Sequence, residues 1–150
     1  MSTDHHVDAE ALVEQSVETI VSTVAPEPCL ALIAELERRD LLWDGMLLLL
    51  GPTASRPVLG LGEQEAVKRL AALAETPDRV TGLTYSLQRT FRSEGAAAAR
   101  TVWDGADIEL QRGTAAQVLV GYCRTIGGEA GRLSGRDTVR LIRAVVPVTW

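Results

Sequence analysis

Few side chains in this 150-residue chain can do chemistry, and their spacing limits what they can attempt. His5 and His6 are the only histidines, and both sit in the polar stretch 1–6, which reads as a disordered tail. A Ser-His-Asp or Cys-His arrangement needs an imidazole held rigidly by a third group, which a tail does not provide. Cys29 and Cys123 lie far apart in sequence, and no four His or Cys ligands stand at the spacings zinc prefers. Gly51-Pro-Thr-Ala-Ser-Arg-Pro57 and Gly60-Leu-Gly62 only faintly resemble phosphate-cradling loops. The first has no Gly-Lys-Ser/Thr and the second lacks a third glycine, so both read as turns. Asp104, Asp107 and Glu109 do not follow the ligand order of a calcium loop. No catalytic, cofactor-binding or metal-ligating set is assigned, no cofactor is expected, and the chain reads more as a non-enzyme than an enzyme.

Two constellations remain. Arg132, Arg136, Arg140 and Arg143 are spaced by four, four and three, which on a continuous helix would form a basic stripe fit for phosphates or an acidic partner. Gly131 and Gly135 oppose that helix by about 1 kcal/mol each, and Ser134 and Asp137 look like caps. Arg140 and Arg143 are therefore the pair expected on a helix, flanking Val139, Ile142 and Val146. The second constellation is Trp-Asp-Gly, which occurs at 43–45 and again at 103–105. The flanks do not match, so this is no internal repeat. Trp43, Asp44, Trp103 and Asp104 are nonetheless the candidate lining of a cleft. Asp40 and Asp44 would share one face of a helix near Trp43, where desolvation raises a carboxylate's pKa.

Composition bounds the rest. Hydrophobic residues make up 46% and charged residues 23%, which places the chain in the globular class, and its length suits one domain, residues 7–150. With six aromatic residues the core must be aliphatic, and Ala and Leu favour helices. A net charge of −5 argues against a general nucleic-acid binder. The charge is uneven: residues 1–75 hold five Lys and Arg against thirteen Asp and Glu, and residues 76–150 hold ten against seven. Fourteen arginines against a single lysine, Lys68, fit the codon usage of a GC-rich bacterial genome. The longest aliphatic run, Met46 to Leu50, is far short of the roughly 20 residues that span a bilayer, and no signal peptide is recognisable. Cytoplasmic location, no membrane partner and reduced buried thiols are expected.

The elements that must position these residues read as helices. Thr76 as cap and Pro77 at the first position open a helix to Ser93. Val80, Leu83, Leu87 and Phe91 form its inward stripe, and it is taken as the organiser. Helices are also expected at 7–24, 27–39, 41–50 and 63–74, from 96 through Trp103, from a Thr114 cap to a Gly127-Gly128 terminator, and from Ser134 or Asp137 to about 146. Residues 101–110 admit helix then loop, which is preferred, or a small β-hairpin turning at Asp104-Gly105. The expected fold is an all-α single-domain bundle of about six or seven helices.

Three functions fit. The first is a helical interaction or adaptor protein, by binding a partner or by self-association as a homodimer. The second is a regulatory nucleic-acid-associated protein using the basic C-terminal half. The third is a ligand-binding protein or enzyme with the Trp/Asp cleft.

Overall fold

A computed structural model describes residues 2–53, 78–129 and 133–145. Seven helices are placed among them: α1 (Ser2–Thr23), α2 (Pro26–Arg38), α3 (Leu42–Thr53), α4 (Asp78–Glu94), α5 (Ala96–Asp104), α6 (Ile108–Glu129) and α7 (Gly135–Val145). No strand forms among the described residues, so the fold is all-α. Residues 101–104 are helical, 105–107 form a short loop and 108–110 already open α6, so the hairpin does not form. No described helix is long and apolar enough to cross a membrane.

The organiser is α6, not α4. It packs against α1, α2, α3, α4 and α7, whereas α4 meets α3, α5 and α6. The sequence concealed this because α6 carries four glycines, at 113, 121, 127 and 128, and glycine lowers helix propensity. Close packing on several sides supplies the reason for at least one of them. A Cβ added at Gly127 would come within 2.9 Å of Val21 Cγ1 on α1 and 3.0 Å of Leu133 Cβ, so only glycine admits those neighbours. Gly127-Gly128 therefore lies inside α6 and does not terminate it. Thr114 is likewise no cap but a buried interior residue whose hydroxyl has no hydrogen-bond partner. The capping role falls to Asp107, whose Oδ1 accepts from the Leu110 amide at 2.8 Å.

Other expectations hold with shifted ends. Helix α1 begins at Ser2 rather than near Val7 and buries Val13, Val17, Ile20 and Val21. The continuous apolar run after Leu41 is helical, and α3 extends through Gly51-Pro52-Thr53, which had read as loop. Pro52 has no amide to donate to the carbonyl four residues back, and the disturbance is confined because only Thr53 follows it in the helix. The Thr76 cap, Pro77 and the helix at 63–74 lie outside the described residues. On α4, Val80 and Leu87 are buried, and Leu83 and Phe91 are partly buried. The same face also buries Thr84 and Gln88. Thr84 Oγ1 lies 2.6 Å from Gln117 Oε1 on α6, a polar link between the two helices that hydrophobic periodicity could not register. Ser134 caps α7, its Oγ accepting from the Asp137 amide at 3.1 Å.

Cys29 on α2 and Cys123 on α6 are free and buried. Burial pushes the Cys29 thiol up to about 12 and Cys123 higher still. Both thiols stay protonated in the fold, whereas unfolded ones ionise near pH 8.5. A raised native pKa contributes stability that is whole below the unfolded value and lost as pH rises above it. Unfolding free energy should therefore fall by about 1–2 kcal/mol between pH 8 and 9. Urea titrations at the two pH values check this, and a Cys29→Ala/Cys123→Ala variant should lose that pH dependence.

Candidate functional site

The cleft is built where four helix ends meet: the C-terminus of α2, the start of α3, the end of α5 and the start of α6. Its space of about 370 Å³ is lined by Glu37, Asp40, Trp43, Asp44, Arg100, Trp103, Asp104 and Gln111, with Leu42 and Ile108. All four residues that sequence reasoning placed in a cleft are therefore brought together, sixty positions apart in the chain.

On α5, Arg100, Trp103 and Asp104 share a face by their spacing of three and four. Trp103 is only 3% exposed and forms the wall nearest the core. Its ring centroid lies 5.8 Å from that of Trp43, with the planes tilted by 42°. Such tilted packing is favoured by the ring quadrupoles. The Trp103 carbonyl, near the end of α5, accepts from the Ala106 amide at 3.1 Å and from Gln111 Nε2 at 2.9 Å. The Gln111 bond ties the start of α6 to the cleft.

Arg100 occupies the aromatic face. Its guanidinium carbon is 5.4 Å from the Trp43 ring centroid, and its Nε donates to Asp104 Oδ1 at 3.0 Å. These side chains are 51% and 57% exposed, so the ion pair contributes at most about 1 kcal/mol. Arg100 is thus a weakly held cation on a tryptophan.

Asp40 arrives by a different route from the one expected. It is not on the helix with Asp44 but follows the end of α2, at φ +58°. The Leu41 amide donates back to the Leu36 carbonyl at 2.7 Å and the Asp40 amide to Glu37 at 3.1 Å, closing α2 in the left-handed way that glycine usually supplies. Asp44 sits in the first turn of α3, where the helix dipole favours a negative charge. Asp40→Gly should therefore raise stability by about 0.5–1 kcal/mol, seen as a higher urea midpoint at unchanged slope.

Electrostatics sort the carboxylates. Glu37 is taken by Arg112 of α6 in a two-bond contact, with Nε donating to Oε2 at 2.7 Å, and that guanidinium holds the Glu37 carboxyl below the usual range. Asp104 is taken by Arg100. Asp40 and Asp44 make no ion pair with a described residue, leaving two unbalanced negative charges beside Trp43. Among the described residues no three His, Cys, Asp or Glu side chains are grouped to hold a metal ion. The arrangement suits a diffuse organic cation, which a carboxylate pair and an aromatic face recognise together.

Nearby, Glu35 is held at about 2 by hydrogen bonds from Arg38 and Arg39, the latter one turn away. That contribution is present above the ordinary carboxylate range and lost as pH falls toward 2. Of the arginine constellation, Arg136 and Arg140 are exposed one turn apart on α7, which begins at Gly135. Arg143 lies on the same helix, and Arg132 is outside the described residues. Sequence reasoning missed Arg100 and Arg112. The signal for Arg100 was its position four residues before Asp104, an (i, i+4) pair; nothing in sequence joins Arg112 to Glu37. No protein-family model, curated protein or solved structure matches the chain.

Proposed function

We propose that the protein is an interaction module whose cleft receives a guanidinium or ammonium side chain of a protein partner. The observation that carries this reading is the pair Asp40 and Asp44, without ion-pair partners among the described residues, lining a space walled by Trp43 and Trp103. Carboxylates beside an aromatic face attract an incoming cation together, the ring adding its quadrupole to their charge. The space of about 370 Å³ accommodates one long side chain with room for water. Arg100 on Trp43 is a cation already resting where the visitor would rest. The reading joins two expectations from sequence, the adaptor and the Trp/Asp cleft.

Calorimetry tests it with three probes: N-acetyl-arginine amide, N-acetyl-lysine amide and N-acetyl-glutamate amide. The two cationic probes should bind one to one in a salt-sensitive manner, and the anionic one should not. Equal heats from all three, or none from the cations, would remove the proposal.

A further inference from the structure

A second surface lies toward the other end of α6, on the side where α1 runs beside it. Glu14, Val17, Glu18 and Val21 of α1 and Tyr122, Ile126 and Gly127 of α6 line a groove of about 250 Å³. Its floor is aliphatic and aromatic. Ile126 is 44% exposed here. The groove closes where Gly127 lets Val21 approach, so its depth depends on the absence of a side chain at 127.

The rim carries one sign of charge. Helix α1 contains Asp4, Asp8, Glu10, Glu14 and Glu18 and no lysine or arginine. Glu10, Glu14 and Glu18 repeat every fourth residue and are exposed, forming an acidic edge about 12 Å long at 1.5 Å per residue. Glu14 and Glu18 make no ion pair with a described residue. A second copy of this chain docked symmetrically would set glutamates against glutamates, and an anionic lipid surface would be repelled by the same edge. A partner with apolar side chains on one face and positive charges at four-residue spacing meets both the floor and the rim.

We infer that the α1–α6 groove is a docking site for a basic amphipathic helix of another protein. The helix lays leucine- or isoleucine-sized side chains against Val17, Val21, Tyr122 and Ile126 and sets lysines or arginines one turn apart along Glu14 and Glu18. This inference does not rest on the cleft, which lies more than ten residues along α6 from Tyr122, so either stands if the other fails.

The test uses the full chain and a fluorescein-labelled helical 18-residue Leu/Lys peptide, with its Leu/Glu counterpart as control. Anisotropy should report one-to-one binding of the Leu/Lys peptide that weakens with salt, and no binding of the Leu/Glu peptide. Ile126→Asp should weaken binding at least twentyfold although it makes the protein more negative, because it puts a charge on the apolar floor. Glu14→Lys/Glu18→Lys, both changes at exposed positions, should weaken it at least tenfold and keeps the test available if the first variant fails to fold. Absence of Leu/Lys binding would overturn the inference. So would equal or tighter binding to Ile126→Asp, which would mark attraction by bulk charge alone, or equal binding of the Leu/Glu peptide.

Discussion

Replacing Trp103 by alanine is expected to destabilise the domain by about 3–5 kcal/mol, the range for a large buried aromatic. Trp103 is 3% exposed, packs on Trp43 and accepts the Gln111 hydrogen bond through its backbone. The short helix α5 packs chiefly on α4, and this indole is its largest buried side chain. Trp43→Ala removes a ring that is only partly buried, and about 1–2 kcal/mol is expected from the smaller area returned to water. Urea unfolding followed by far-ultraviolet circular dichroism measures both. A loss for Trp103→Ala no larger than for Trp43→Ala would mean that the cleft wall is not anchored in the core.

Asp44→Lys and Arg100→Ala should move cation binding in opposite directions. Reversing the charge at Asp44 puts a cation at the site of an unpaired carboxylate, and affinity for N-acetyl-arginine amide should fall at least a hundredfold, about 2.7 kcal/mol. Removing Arg100 vacates the Trp43 face and frees Asp104. Both contacts lie at the surface and each is worth about 0.5–1 kcal/mol, so binding should tighten about five- to thirtyfold. Arg136→Ala removes one positive charge from an exposed position on α7 and serves as the control. It should leave affinity unchanged; if it tightens binding as much as Arg100→Ala does, the effect is net charge rather than the occupied ring face.

The helical class was legible because it depends on local signals; the recurrence of Trp-Asp-Gly marked the two pairs, but their meeting across sixty positions is made by the fold. Leu and Ala periodicity marks helices, and a tryptophan beside an aspartate must satisfy an apolar ring and a charge together, which favours the edge of a core. What escaped the sequence was packing of the kind that no local period records. Helix α6 looked broken by its glycines, yet Gly127 is there because Val21 and Leu133 leave no space for a side chain. Thr114 reads as a cap and is buried, and Thr84 is buried beside Gln117 of a distant helix. Asp40 reads as helical in sequence because nothing there marks it as the left-handed residue that closes α2, a place glycine usually takes. Arg112 reaches Glu37 across 75 positions, a pairing that only the fold creates. For the basic stripe, the cap signal of Ser134 was legible: α7 starts at Gly135 and carries Arg136, Arg140 and Arg143.

The central claim is that a cation enters beside Trp43 between Asp40 and Asp44. Its most direct test is a two-dimensional nitrogen–proton NMR titration of the full chain with N-acetyl-arginine amide. The account predicts saturable shifts of the Trp43 and Trp103 indole N–H signals and of the Asp40 and Asp44 backbone amides, all lost in Asp44→Lys. Shifts that leave these signals still while others move, or that persist in Asp44→Lys, would contradict it.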